Sequence, residues 1–357
     1  MKRALIILIG GLAIVAILAF VFRTQITLRV LDRVVTERLS NDFVGGLPDG
    51  IHVGLCGAGS PLPDPNRSGP CVAVLAGDQV YIVDSGSGSS RILNQMGIPQ
   101  GQIDGILLTH FHSDHIDGLG ELLMQRWVNG NHTSPVPVYG PQGVQDVVSG
   151  LKRAYERSNH YRTAHHGEDI VPASGAGGVA RPFLEPPPGT GTVVVDKDGL
   201  KITAFRVDHE PVDPAVGYRF DYKDRSVVIS GDTKKSANLE KMAHGTDLLV
   251  HEALAPQLVG VMTEGAERAG RPNLAKATRD ILDYHATPVE AAESAQAAQA
   301  DHLLYYHIVP PLLLAPMEDI FLEGVGDAYE GPVTVGRDGT FVSLETGSDD
   351  IVVEERL

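Results

Sequence analysis

A run of seven residues, Thr109-His110-Phe111-His112-Ser113-Asp114-His115, constrains this chain more than any other stretch. It follows a short apolar strand pattern, Ile106–Leu108, and leads into the helical pattern of His115–Trp127. A strand end followed by a tight turn presents alternate side chains to one cleft. Three imidazoles and a carboxylate at such a place suit zinc, which accepts histidine nitrogen and aspartate oxygen. Buried without a cation, the same groups would each need a separate polar partner. One run supplies too few ligands for two cations, so further donors are expected downstream. His209 ends a strand in Val207-Asp208-His209, Asp232 follows one in Ser230-Gly231-Asp232-Thr233, and His307 follows Leu303–Tyr306. Open α/β sheets carry their functional loops just beyond such strand ends.

The composition is that of a folded chain: 43% hydrophobic and 21% charged residues over 357 positions exclude disorder. A net charge of −16 disfavours a groove that tracks a long nucleic-acid backbone. The two cysteines, Cys56 and Cys71, cannot build a four-thiolate zinc site. They flank a Gly/Pro-rich loop, where either a disulfide or two buried thiols would fit.

At the amino terminus, Met1-Lys2-Arg3 precedes the apolar stretch Ala4–Phe22. At about 1.5 Å per residue a helix of that length nearly spans a ~30 Å hydrocarbon core. An uncleaved single-pass anchor in the inner (cytoplasmic) membrane is therefore expected over 1–23, with a signal peptide as the alternative. The short tail ahead of it would leave the catalytic body on the periplasmic side. Leu28, Leu31, Val34, Val35 and Leu39 follow a helical spacing that predicts a stalk helix over 24–45.

From about Ile51, β-branched runs alternate with amphipathic helices. Paired strands followed by strand–helix alternation predict an α/β chain built as a four-layer αββα sandwich. It forms one domain over 46–357, with a Gly/Pro-rich irregular insertion at about 160–191. Asp338-Gly339 predicts a hairpin between Val333–Val335 and Phe341–Leu344.

The order His110-x-His112-x-Asp114-His115, His209, Gly231-Asp232-Thr233 and His307 resembles the metallo-β-lactamase superfamily of dinuclear metal hydrolases. Gly217-Tyr218-Arg219, Val250-His251-Glu252-Ala253 and His285-Ala286-Thr287 resemble its ribonuclease Z and arylsulfatase-like branch, with Ala286 where ribonuclease Z has serine. The resemblance implies a metallo-β-lactamase-like sandwich holding two divalent ions, zinc as a rule. His110, His112 and His209 would hold one ion, Asp114, His115 and His307 the other, and Asp232 would bridge them. Asp84 would orient ligand histidines, or else cap the following helix.

Asp114, His285 and Glu252 are the expected catalytic residues, with His285 as general acid and Glu252 fixing its tautomer. Two dications, two aspartates and a hydroxide leave a local charge of about +1, so an anionic ester is the expected substrate, attacked by metal-activated hydroxide. His165 and His166 match a His-His-Gly insertion of the arylsulfatase-like branch and would border the substrate or form a polar lid. Arg219 would contact substrate or pair with a surface acid.

Ribonuclease Z enzymes that process tRNA commonly carry a long basic arm between Gly-Tyr-Arg and Gly-Asp-Thr; here only Phe220–Ser230 lies between them. That spacing, the acidity and the apolar amino terminus favour a membrane-anchored hydrolase of a small anionic ester, whether phosphate, phosphodiester or sulfate, with nucleic acid not expected as a partner. A ribonuclease Z-type endoribonuclease acting in tRNA 3′-processing is the alternative, and a catalytically inactive metal-binding protein a further one. A homodimer is compatible with the chain.

Overall fold

The computed structural model describes residues 2–357 and divides into two units, one ending at Gly46 and one over Leu47–Leu357. The first unit holds helices α1 (Lys2–Val21) and α2 (Arg23–Ser40), and no residue of α2 is buried. The single spanning helix expected over 1–23 is not supported. Among the described residues no one helix is long and apolar enough to cross a membrane. Ile7–Val21 and Arg23–Ser40 reach that length and composition only as a pair bent by 71°.

The second unit is built on two sheets. Strands β1 (Gly50–Gly57), β2 (Cys71–Ala76), β3 (Gln79–Val83), β4 (Ile103–Leu107), β5 (Val136–Pro141) and β6 (Gly178–Phe183) lie side by side in the first. The second runs from β7 (Thr192–Lys197) through β8 (Leu200–Arg206), β9 (Val216–Tyr222), β10 (Arg225–Ile229), β11 (Leu248–Leu254) and β12 (His302–Val309) to β13 (Val333–Val335). The chain then returns to the first sheet, where β14 (Thr340–Glu345) pairs with β1 and β15 (Val352–Glu355) covers the edge. In each sheet antiparallel strands give way to parallel ones, β3 to β6 and β10 to β13.

Alternation along the strands explains the layers. Ile51, Val53 and Leu55 of β1 face Ile202, Tyr218, Phe220, Val250 and Leu304 across a dry core between the sheets. The opposite face of the second sheet, with Val228, Leu249, Leu303 and Tyr305, packs on an alanine-rich helix, residues Pro288–Ala298. Small side chains there let the helix lie close, and Thr287 starts it with a complete capping box. On the other outer face Leu119, Leu122 and Trp127 of the helix Leu119–Gly130 are buried. The layers therefore run helix, sheet, sheet, helix.

Two local expectations need correction. The insertion at 160–191 is not an irregular lid: His160–His166 complete a helix over Val144–His166, and Gly178–Phe183 form edge strand β6. An edge strand tolerates Pro182, and the surrounding glycines hide its short β pattern. Asp338-Gly339 does not close a hairpin either, because β13 and β14 belong to different sheets. The Asp338 carboxylate instead accepts the backbone N–H groups of Ala58 and Ser68. Cys56 and Cys71 form a disulfide at the base of that loop.

The sheets are sewn together just ahead of the histidine run. The buried Tyr218 hydroxyl on β9 donates to the Leu108 carbonyl at 2.7 Å, and the Val216 N–H donates to the Thr109 carbonyl at 3.0 Å. Gly231, at φ +62°, makes room for this seam, since a Cβ there would lie 2.8 Å from the Val216 carbonyl oxygen. Tyr218→Phe would leave the Leu108 carbonyl without its partner inside a dry core, and should cost about 1–3 kcal/mol. Urea unfolding of both proteins measures this; an unchanged midpoint would remove the hydroxyl from the seam.

Candidate metal centre

Asp84 and the seven donors singled out in the sequence reach the same end of the sandwich. Asp84 follows β3, the His110–His115 run follows β4, His209 follows β8, and Asp232 follows β10. His307 arrives differently. It lies inside β12, at a bulge where Glu252 and Ala253 of β11 oppose Tyr306 and Ile308. The bulge holds His307 at φ +44°, which turns its ring out of the ladder and into the cleft.

The seven expected donors converge. His110, His112, His209 and Asp232 offer ligand atoms within 4.8 Å of one another, as do Asp114, His115 and His307. Asp232 Oδ2 sits between the two groups. It is 3.8 Å from the Nε2 atoms of His110 and His209, and 3.3 Å from those of His115 and His307. Asp114 Oδ2 lies 3.3 Å from His307 Nε2 and 3.5 Å from His115 Nε2.

Several of these atoms are fit for a cation and poorly served without one. His115 Nε2 and Asp232 Oδ1 are buried with no hydrogen-bond partner. Burial works against the charge on Asp232, but His307, His115 and His110 outweigh it and hold the carboxyl well below its usual range. Burial pushes His110, His112 and His209 down, so their rings are neutral, the form that ligates a metal. On His115 burial acts the same way, yet Asp232 and Asp84 override it and raise the imidazole well above its ordinary value.

Asp84 fixes the geometry from behind. One carboxylate oxygen accepts the Thr109 N–H at 2.8 Å; the other accepts the Thr109 hydroxyl at 2.7 Å and His115 Nδ1–H at 2.8 Å. The helix Ser89–Met96 has Gly88 at its N-cap and no side-chain cap, so Asp84 does not serve there. Held at φ +57°, Asp84 adopts a backbone conformation that costs a non-glycine residue on the order of 1–3 kcal/mol. His209 is oriented by the Tyr284 carbonyl, 2.8 Å from its Nδ1.

His285 and Glu252 form a pair beside the cluster. His285 Nδ1 lies 2.9 Å from Glu252 Oε1, which also accepts the N–H groups of Thr233 and Ala286. Burial opposes the charged ring, but the Glu252 carboxylate more than offsets it and pushes His285 up to about 9. His285 lines a cavity of about 170 Å³ that also borders His112, Asp114, Asp232 and His307, and one of its ring nitrogens lies within 4.8 Å of ligand atoms of Asp232 and His307.

Sequence reasoning missed the far wall of that cavity. Helices Pro256–Arg268 and Pro272–Asp280 supply Val259, Met262, Leu274 and Thr278, with Tyr284 beside them. Gly260 and Gly265 weaken the helical signal of the first, and few of its residues are buried. The three residues expected to touch substrate are elsewhere. His165 and His166 end the helix Val144–His166 and do not line the cavity. Arg219 projects from β9, where Asp221 and the carbonyls of Met242 and His244 engage it.

Asp232 belongs to the first group and lies 3.3 Å from two Nε2 atoms of the second; with His285 and His307 it forms a third set of possible ligand atoms. In zinc-loaded protein, Asp232→Ala should cut bound metal from about two ions per chain to fewer than one. Elemental analysis after gel filtration reads this, and undiminished metal would refute the shared role. Asp84→Asn should retain metal more weakly, by about 10–100-fold, since it disturbs only ligand orientation.

The Metallo-beta-lactamase superfamily profile matches residues 65–295. A ribonuclease Z of Mycobacterium avium is 35% identical over 300 residues, covering 84% of this chain and 100% of that protein. One from Mycobacterium marinum is 33% identical over 290 residues, covering 81% and 96%. Among solved structures, the short form of human tRNase Z superposes with TM-score 0.57 at 24% identity over 82% of this chain and 98% of that one. The metallo-β-lactamase fold protein YhfI of Bacillus subtilis gives 0.57 at 18% identity, over 83% and 100%. Full-length ribonuclease Z relatives overturn the expectation of a small anionic ester as substrate, and with it the exclusion of nucleic acid. Net charge misled there because it averages over the whole surface and cannot report a local basic patch. The chain belongs to the metallo-β-lactamase superfamily, in its ribonuclease Z branch, and is a metal-dependent hydrolase of ester bonds.

Proposed function

We propose that this chain is an endoribonuclease of tRNA 3′-processing that cuts one phosphodiester bond with the help of two divalent cations, zinc being the ion its donors suit best. The observation that carries the substrate assignment is the alignment with a mycobacterial ribonuclease Z over that protein's entire length at 35% identity. In this reading His110, His112 and His209 hold one cation, Asp114, His115 and His307 the second, and Asp232 both. When bound, the cations supply an activated water and positive charge for the phosphate oxygens.

The chain's own residues do the rest. Asp84 and the Tyr284 carbonyl lock the tautomers of His115 and His209, so that Nε2 of each faces the cleft. Leu62, Val259, Met262 and Ile281 remove water from the side opposite the histidines, which strengthens every charge interaction within. Glu252 accepts His285 Nδ1–H and keeps the ring protonated near neutral pH. The opposite nitrogen of His285 then gives its proton to the departing ribose oxygen.

Incubation of zinc-loaded protein with a tRNA precursor bearing a 3′ trailer should release the trailer in one cut, read on a denaturing gel. An intact precursor, under conditions where a nitrophenyl phosphodiester is hydrolysed, would refute the assignment. His285→Ala should slow precursor cleavage on the order of 10²–10⁴-fold and affect a nitrophenyl diester much less, because that leaving group needs no proton. Equal losses would exclude His285 as the acid. Glu252→Gln removes the charge that holds the proton on His285, so the ring gives it up at lower pH. The alkaline limb of kcat/KM should therefore move to lower pH; a limb that stays put would show that Glu252 does not set it.

A further inference from the structure

The turn between β9 and β10 is only Lys223-Asp224, so no arm projects from that edge to hold an RNA. Cationic side chains gather instead on the helix Val144–His166. Lys152, Arg153 and Arg157 stand exposed along one side of it, followed by His160 and Tyr161, and Glu156 is the only acid among them. At about 1.5 Å per residue the three cations span about 8 Å along the helix, and the histidine and tyrosine extend this by about 6 Å.

Three observations separate this strip from an ordinary solvated face. Elsewhere in this unit Arg206, Arg219, Arg225, Lys235 and Arg337 each face a carboxylate, and exposed cations that do not, Arg91, Arg181, Lys201 and Arg271 among them, stand singly rather than within six residues of one another. Among the described residues none of Lys152, Arg153 and Arg157 has an ion-pair partner, not even Glu156, one turn from Lys152. Arg153 and Arg157 are four residues apart, a like-charge spacing that costs a helix about 0.2–0.5 kcal/mol. Helix stability gives no reason to keep it. Finally, the strip is tied to the catalytic end. The helix begins against Phe111 of the histidine run, where a Cβ on Gly143 would lie 2.7 Å from the Phe111 ring. It then runs past a groove of about 980 Å³ that Lys152, Arg153 and His160 line together with Glu156 and Glu168, while Arg157 lies outside it.

Resting on the endoribonuclease reading, we infer that Lys152, Arg153 and Arg157 grip the phosphate backbone of the RNA stem whose 3′ end is cut at the metal centre. The ligand is a regular array of anions, and the strip is a row of unpaired cations leading away from the cleft. Base identity is not read here. Affinity arises from phosphate neutralisation and depends steeply on salt.

The test compares zinc-loaded wild-type protein with Lys152→Gln/Arg153→Gln/Arg157→Gln, using fluorescence anisotropy with a hairpin RNA whose scissile linkage is blocked. The triple variant should bind at least tenfold more weakly, and the slope of log K against log salt should fall by about two to three. Turnover of a nitrophenyl phosphodiester should not change, and the melting temperature should not fall. Single substitutions at Arg153 or Arg157 should give intermediate losses, which guards against a triple variant that fails to fold. Equal binding by variant and wild type, with the precursor still cleaved, overturns the docking surface and leaves the endoribonuclease reading intact. Wild-type binding that the variant loses, with no cleavage of any precursor, supports the surface and removes the reading. Wild type that binds no RNA overturns the surface outright. So does a variant that keeps RNA but loses phosphatidylglycerol vesicles, which would assign the strip to a membrane.

Discussion

A carboxylate buried among four imidazoles is the contact on which the site depends. Asp232 cannot keep its charge in a dry seam unless positive charge stands close by, and three strands deliver it. His110 and His115 come from the end of β4, His209 from the end of β8, and His307 from the bulge in β12. Asp232 and Asp84 outweigh burial and raise the His115 imidazole well above its ordinary value, while its Nε2 has no hydrogen-bond partner. Divalent ions meet the same demand with better-directed bonds. The left-handed backbones of Asp84 and His307 belong to this arrangement: both are strained, and both aim a side chain that a relaxed conformer would turn away.

The His285–Glu252 pair adjoins the donors, with the His285 ring 5.6 Å from that of His307. Glu252 sits on β11 between the strands that deliver Asp232 and His307, so the group that raises His285 is fixed by the same register that places two metal ligands. Three donors converge on its Oε1, from Thr233, His285 and Ala286. Chemistry and scaffold are thus coupled through β11, whereas the apolar wall opposite rests on two short helices that make few contacts with the core. Variation in that wall would alter what enters the cleft without disturbing the ions.

How much of this could be read beforehand depends on how local each signal is. The donors were legible because a metal site needs particular side chains, and His110, His112, Asp114 and His115 sit within six residues of one another. His209, Asp232 and His307 followed because each lies near the end of an apolar run. The bulge that turns His307 was not legible, since its cause is a mismatch in pairing with β11. Asp84 stayed ambiguous until its two oxygens were seen to face Thr109 and His115. The helices over 256–280 were missed because their apolar residues face a cavity as well as the core, which blurs the period. Arg219 was read as a substrate contact or the partner of a surface acid, and His165 and His166 as pocket residues or a polar lid. Arg219 is engaged by Asp221 and backbone carbonyls, and the two histidines end a helix that the Gly/Pro-rich sequence after it had disguised.

The bridging position of Asp232 is tested most directly by anomalous diffraction at the zinc edge from crystals grown with zinc. Two peaks are expected, each about 2.0–2.2 Å from an oxygen of Asp232, with His110, His112 and His209 around one and Asp114, His115 and His307 around the other. A single peak, or two peaks that both leave Asp232 unligated, would contradict it.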